Sequence, residues 1–496
     1  MNDVVDALKK NIEAISTYIV EDPTDEYAGK IKVPHRKLAL MNLAYVTGKN
    51  VLLYGEPGFG KTTSAKVCLT LNGGLPFDTF ESVQIQGHPE QTVETMAHRP
   101  DFGSLALGKE SVVFMPALFF DGYLLDEINR LPPGKQDFTL NSIDTGRWTY
   151  LGRTLYFGKK PFFATYNYED GGNHKVIPPL LDRFAISMEL GRVPGGREPI
   201  KEARKKIENE LYDTEMTTDI LNELNNREIS DADRRKIVTK YSMAFSKKLA
   251  GQGVRRVDDK FIEEFRKRLD EVKITPEANL YLDFIEGELN LTQLYGQKRR
   301  NDPVDRSSHA QALASACTKN SFSPRGMSTV EDFAKGLVLM LGDKEVRREH
   351  VHEVAPYAMA HRMEFDNDYA SLYTEAPRHC QENSQMDLSR RLLAKMEAHF
   401  LGETEQDNTV LDKNQKTDPK KEKDPYRSVF KKSQLLDRFA GGLIDPKSMD
   451  LNEAEQKIAK EMLNYAKTEP ERIDHPFVRE MAQRIIRELK NNGVEI

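Results

Sequence analysis

The chain has 496 residues, with 72 Lys and Arg against 78 Asp and Glu and a formal net charge of −6. That length calls for about two to four domains, and the slightly acidic balance gives no general attraction to nucleic acid or anionic membrane. No basic and apolar N-terminal pair marks secretion, the most apolar run (Val112 to Phe120) is broken by Pro116 and too short to span a bilayer, and Cys68, Cys317 and Cys380 stand too far apart for a metal or disulfide pattern, so a cytoplasmic protein is expected.

Val5, Leu8, Ile12, Ile15 and Ile19 fall three and four apart, so residues 1–30 should hold an amphipathic helix docked on the rest of the chain. An oligomer contact is the alternative use of such a face. From there to about residue 194 short β-rich runs alternate with helical stretches. The candidate strands are Val51–Tyr54, Val83–Gln86, Tyr123–Leu125, Phe162–Thr165 and Ala185–Leu190. Strands separated by helices indicate an α/β fold with a parallel sheet and ligands at the carboxyl ends of the strands.

The first strand runs into Gly55-Glu56-Pro57-Gly58-Phe59-Gly60-Lys61-Thr62-Thr63, a GxxxxGK[ST] pattern that opens a helix. Glycines in such a loop let backbone N–H groups turn inward around the β- and γ-phosphates of a nucleotide, and the helix N-terminus adds positive dipole. Lys61 would reach the phosphate oxygens, and the Thr62 hydroxyl would hold Mg²⁺. Leu124-Leu125-Asp126-Glu127 is a strand ending in two acids. Hydrolysis of ATP needs one acid for Mg²⁺ and one to polarise the attacking water, and Asp126 and Glu127 are assigned those tasks in that order. Arg147 to Phe157 alternates around Gly152-Arg153 and predicts a β-hairpin, which either closes the sheet or touches substrate. Phe162 to Asn167 is another apolar strand with a terminal amide; Asn167 could contact the γ-phosphate or act as an ordinary turn former.

Beyond Pro194 the β pattern stops. A charged helical insertion is expected over 195–271, a helical lid and extension over 272–400, a flexible linker over 401–428 and a small helical C-terminal element over 429–496, where Ala454 to Leu463 and Val478 to Leu489 mark two amphipathic helices. Basic clusters at Arg234-Arg235-Lys236, Arg255-Arg256, Arg266-Lys267-Arg268 and Lys298-Arg299-Arg300 are interleaved with acids and read as solvated helix faces.

Several blocks together resemble the MoxR family of AAA+ ATPases, in the helix-2-insert group. Asp126-Glu127-Ile128-Asn129-Arg130 with Pro132-Pro133 resembles its Walker B region, and Ala164-Thr165-Tyr166-Asn167 its sensor 1, although members usually carry Gln where Tyr166 stands. Leu181-Asp182-Arg183-Phe184 resembles its arginine-finger segment, Ser323-Pro324-Arg325 its sensor 2, and Val351, Ala355-Pro356 and His361-Arg362 its usual ending. Residues 83–87 and 101–114 are similar to the insert in helix 2, and the hairpin at Arg147 sits where the family carries its pre-sensor-1 hairpin.

The resemblance implies an AAA+ core over residues 31–194 with a helical lid. Arg183 would act in a neighbouring subunit's site and Arg325 in its own, so the chain would form a homo-oligomeric ring, with a hexamer expected. It implies an ATP-driven chaperone or remodeller of a partner protein, often one with a von Willebrand A domain. A nucleic-acid motor and a gas-vesicle-type assembly ATPase are the alternatives. The insertion at about 201–268 and the tail past Arg362 have no counterpart in the pattern.

Overall fold

The computed structural model describes residues 4–22, 29–90, 96, 98–100, 112–150, 153–156, 158–168, 174–190, 197–226, 228–292, 296–299, 302–304, 313–374, 383–402, 428–473 and 475–494. The chain divides into two compact units, one of Met1–Lys273, Ser328–Arg362 and Arg378–Met386, the other of Ile274–Met327, Met363–Pro377 and Asp387–Ile496.

The first unit is built on strands β1 (Val51–Gly55), β2 (Ile85–Gln86), β3 (His98–Pro100), β4 (Val112–Phe114), β5 (Tyr123–Asp126), β6 (Arg147–Tyr150), β7 (Arg153–Tyr156), β8 (Phe162–Asn167) and β9 (Ile186–Glu189). Five of them form one sheet in the order β2-β5-β8-β1-β9, every neighbouring pair parallel. Parallel strands are covered on both faces, which is why they appear in the sequence as unbroken apolar runs. Val51, Leu52, Leu53, Phe163 and Ala164 are fully buried. β3 pairs with β4 and β6 with β7 as antiparallel ribbons. The insert residues 101–111, the hairpin turn at 151–152 and residues 403–427 of the linker expected over 401–428 lie outside the described residues.

The expected strand Val83–Gln86 is shorter in the structure, because Phe77–Val83 is helical and buries Phe77 and Phe80 on one face. The N-terminal helix, Val4–Ser16, buries Val4, Val5, Leu8, Ile12 and Ile15 in the common core. Its one fully buried polar side chain, Asn11, donates to Asn72 Oδ1 at 3.0 Å and to Arg255 O at 2.8 Å. Asn72 donates in turn to Asn42 Oδ1 at 2.6 Å. Buried amides require such partners.

Residues 197–271 form the helices Arg197–Glu210, Thr214–Asn225, Asp231–Leu249 and Asp259–Glu271, and they join the core of this unit. Ser242 Oγ donates to Gly73 O at 2.6 Å and Val257 N to Asn72 O at 2.8 Å, so this segment satisfies carbonyls at the C-terminal end of helix Lys61–Gly73. Arg234, read above as part of a solvated face, is instead buried. Its guanidinium donates to Leu224 O and Asn226 O, both at 3.0 Å, and pairs with Asp231.

Arg36 and Glu353 form an ion pair whose side chains are both almost wholly buried. Glu353 also accepts from the backbone N–H of Ile31 at 3.0 Å. Removing one member of such a pair leaves an unpaired buried charge, so Arg36→Met is expected to cost about 3–5 kcal/mol. The check is urea denaturation of Arg36→Met beside the double variant Arg36→Met/Glu353→Leu, which should recover most of the loss. A single variant as stable as the parent would show the pair to be dispensable.

In the second unit the helices Val429–Ile444, Glu453–Thr468 and Pro476–Asn491 pack on one another, and the last also packs on Pro276–Asn290. The edge of the Phe477 ring meets Phe284 with centroids 5.6 Å apart, at a point where Gly287 leaves room for it. Buried Glu288 accepts from His475 Nε2 at 2.7 Å and from Ala314 N at 2.8 Å. No described helix is long and apolar enough to cross a membrane.

Candidate active site

Three neighbouring strands, β5, β8 and β1, end side by side, with Gly55 in register with Asn167 and Leu125 with Ala164. Their carboxyl ends therefore bring the glycine-rich loop, the acidic pair and Asn167 to one edge of the sheet. This is where open parallel sheets bind ligands.

The loop after β1 turns through left-handed backbone at Gly58 (φ +83°) and Gly60 (φ +79°), and at Gly55 (φ +146°) a Cβ would collide with Leu190 O. Glu56, Pro57 and Gly58 are exposed, Phe59 and Gly60 half-buried. Helix Lys61–Gly73 starts at once, so its unpaired N–H groups face the loop. Lys61 is buried, and its Nζ donates to Gly55 O and Glu56 O, each at 2.7 Å. Burial pushes its pKa down, against the opposing charges of Asp126, Glu127 and Glu56. Thr63, the last residue of the pattern, faces solvent.

Thr62 Oγ1 donates to Asp126 Oδ1 at 2.7 Å, and Thr165 Oγ1 donates to the same oxygen at 2.6 Å. Thr165 Oγ1 also accepts from the Glu127 backbone N–H at 2.8 Å, so one hydroxyl ties both acids to β8. Glu127 has φ 54° and ψ 53°, and with His35 it is one of two non-glycine residues at positive φ among the described residues. The turn is held because Gly87 N donates to Asp126 O at 2.7 Å, and a Cβ at Gly87 would strike Glu127 O. Strained backbone of this kind persists where the surroundings enforce it. The two carboxylates consequently serve different neighbours. Glu127 Oε1 accepts from Asn167 Nδ2 at 2.7 Å, and Oε2 from Arg130 Nε at 3.0 Å and Gln86 Nε2 at 3.3 Å. Asn129 Nδ2 donates to Asn167 O at 2.9 Å and so fixes the strand end that presents Asn167.

The hydroxyl of Thr62 and the carboxylate of Asp126 offer hard oxygen ligands beside the phosphate loop. That fits Mg²⁺, which keeps several waters and takes one or two protein oxygens together with phosphate oxygens. No cluster of three or more His, Cys, Asp or Glu suited to a metal occurs among the described residues.

Arg183 lies elsewhere. It follows the short helix Pro178–Leu181 and precedes β9, and its carbonyl accepts from Asn50 Nδ2 at 2.9 Å, at the amino end of β1. Strand β1 separates it from the loop, and its five residues span roughly 17 Å at strand rise. The guanidinium, about a quarter exposed (24%), binds Asp144 Oδ2 through Nε at 2.9 Å and Nη2 at 2.7 Å, and Pro179 O at 3.0 Å. Arg325 stands in the first turn of helix Pro324–Leu341, and it belongs to the second unit while the helix from Ser328 on belongs to the first.

Thr165, Gln86 and Arg130 touch the acids and Asn129 touches Asn167, but the sequence reading singles out none of them as a site residue. Asn129 and Arg130 fall inside the quoted acidic block, and Thr165 shares a strand face with Asn167 at spacing two. Gln86 becomes visible only through the pairing of β2 with β5.

A phosphate-binding loop on a parallel sheet, faced by an acid pair at the end of the next strand but one, defines a P-loop ATPase core. Residues 50–184 match the AAA domain of the dynein-related subfamily, and residues 310–377 match the AAA lid domain. The chain thus carries an AAA+ ATPase domain of the dynein-related type with its lid, in keeping with the resemblance to the MoxR AAA+ ATPases. Among solved structures, a candidate ATPase from Cytophaga hutchinsonii ATCC 33406 is a distant likeness, 18% identical over 74% of this chain and 90% of that chain, with a TM-score of 0.49. No curated protein matches the chain.

Proposed function

We propose that the protein is a Mg²⁺-dependent ATPase that works as a ring and remodels a partner protein. The observation that carries this reading is the split of the site: Lys61, Thr62, Asp126, Glu127 and Asn167 meet at the carboxyl edge of the sheet, while Arg183 sits at the amino end of β1. An arginine so placed completes the site of a neighbour rather than its own. In this reading the residues of Gly55 to Thr63 enclose the phosphates, with Lys61 on their oxygens. Thr62 and Asp126 would hold Mg²⁺, which would supply charge neutralisation on the phosphates. Glu127 takes a proton from the attacking water as the water oxygen bonds to the γ-phosphorus and the bond from the bridging oxygen to that phosphorus breaks, leaving ADP and phosphate. Asn167 orients that water or senses the γ-phosphate, and Arg325 is the sensor 2 residue by family resemblance.

A hexamer, and a client carrying a von Willebrand A domain, are the forms this takes by family resemblance. The basic clusters do not favour a nucleic-acid motor. Arg234 is internal, buried Lys298 donates to Ser315 O at 2.6 Å, and Lys267 and Arg268 pair with Glu263 and Glu271.

Isothermal calorimetry and ATP turnover test the reading. The parent chain should bind and hydrolyse ATP, and Lys61→Ala should lose nucleotide binding. Unchanged affinity in Lys61→Ala would remove the loop from the site. Stimulation of turnover by DNA or RNA with a steep salt dependence would favour a nucleic-acid motor over a protein remodeller.

A further inference from the structure

Arg183 is carried by a segment whose backbone is held from a distant part of the chain. Arg362 is buried, at 8% exposed, and follows helix Arg348–Met359. Its Nε donates to Asp182 Oδ1 and its Nη2 to Asp182 O, both at 3.1 Å, and Nη2 also donates to Phe184 O. Its Nη1 donates to Ala185 O at 2.9 Å and to Ala358 O at 2.6 Å, which anchors the guanidinium on its own helix. His361 adds a second tie: one ring nitrogen lies 2.8 Å from Phe184 O and the other 3.0 Å from Ser187 Oγ. A carbonyl can only accept, so Nε2 carries the proton and Nδ1 accepts from the serine hydroxyl.

The residues on both sides of Arg183 are therefore fixed by one buried guanidinium, while the Arg183 side chain leaves toward Asp144. We infer that Arg362 is a positioning residue for the arginine that enters the neighbouring site. This rests on the proposed action of Arg183 in trans. Asp182, Arg183 and Phe184 fall in the AAA domain match, and Arg362 in the lid match. The clamp thereby links the lid segment of one subunit to hydrolysis in the next. A planar fork of five donors suits four carbonyls and a carboxylate held at once; a lysine ammonium cannot reproduce that geometry.

The test uses the full chain with Arg362→Lys, read by calorimetry, by steady-state ATPase and by mixing with Glu127→Gln subunits. Nucleotide affinity and KM should stay at the parent values. A reacting group misplaced by about 1 Å can cost on the order of 10²-fold, and kcat should fall by that order. Glu127→Gln subunits, which retain a well-placed Arg183, should restore turnover in mixed rings just as they restore Arg183→Ala. A purely structural role for Arg362 would give no such rescue. If Arg183→Ala is rescued and Arg362→Lys is not, or if Arg362→Lys turns over like the parent, the inference is overturned alone. If neither is rescued, action in trans fails and the inference falls with it. Should Arg362→Lys lose nucleotide binding, Asp182→Asn weakens the same clamp from the other side, and a parent-like kcat there overturns the inference.

Discussion

Glu127→Gln should bind ATP with the affinity of the parent and hydrolyse it about 10²–10⁴-fold more slowly, the range that a positioned general base contributes. The geometry makes this substitution clean. Glutamine keeps the length of the side chain and one oxygen, which can still accept from Arg130 or Asn167, the groups now 3.0 and 2.7 Å from the carboxylate. The left-handed backbone at residue 127 is enforced by Gly87 and Thr165 and does not depend on the side-chain charge. Thr62 and Asp126 belong to a separate hydrogen-bonded pair, so the proposed metal ligands stay in place. What disappears is the carboxylate that can take a proton. Single-turnover hydrolysis beside equilibrium ATP binding separates the two effects, and normal turnover in this variant would move the water-activating role to another group.

The parts of the fold that could be read from the chain are those whose physics is local. Leu52 and Phe163 lie in strands buried on both faces, and such strands show as apolar runs whatever they pair with. The glycine-rich loop is legible because left-handed turns and a helix start leave a fixed spacing of Gly58, Gly60 and Lys61. Helix Val429–Ile444 is less visible, because Gly441 and Gly442 weaken its helical pattern. Gly442 lets the Met449 side chain pack close against the helix. Arg234 shows the limit most clearly. Its neighbours Arg235 and Lys236 make it look like one of a solvated cluster, and only the packing of Leu224 and Asn226 against it makes it internal. Gln86 is equally silent, and Thr165 and Arg362 stand in blocks of the family pattern without showing what they touch, because those contacts come from strand adjacency or from a partner about 180 residues away.

Arg183→Ala should lower turnover by roughly 10³–10⁵-fold, as loss of an inserted arginine does when it neutralises charge on a transferring phosphoryl group. The loss should be catalytic and not a failure of folding. Asp144, the partner left behind, has a side chain about one-third exposed (33%), and breaking an ion pair in that setting costs about 0–1 kcal/mol. The backbone of the segment keeps its ties to Asn50 and Arg362. Nucleotide affinity should be preserved as well, because Arg183 and the phosphate loop lie at opposite ends of β1. Mixing gives the decisive measurement. An Arg183→Ala subunit has an intact loop and acid pair but no finger to donate, whereas a Glu127→Gln subunit has a finger but no base. Two inactive proteins should therefore regain turnover together, at the boundaries where a Glu127→Gln subunit faces an Arg183→Ala site. Full activity of Arg183→Ala alone, under conditions where rings form, would place the charge-neutralising group elsewhere. Rescue on mixing would require that the site be shared, because no arrangement confined to one chain lets one inactive subunit repair another.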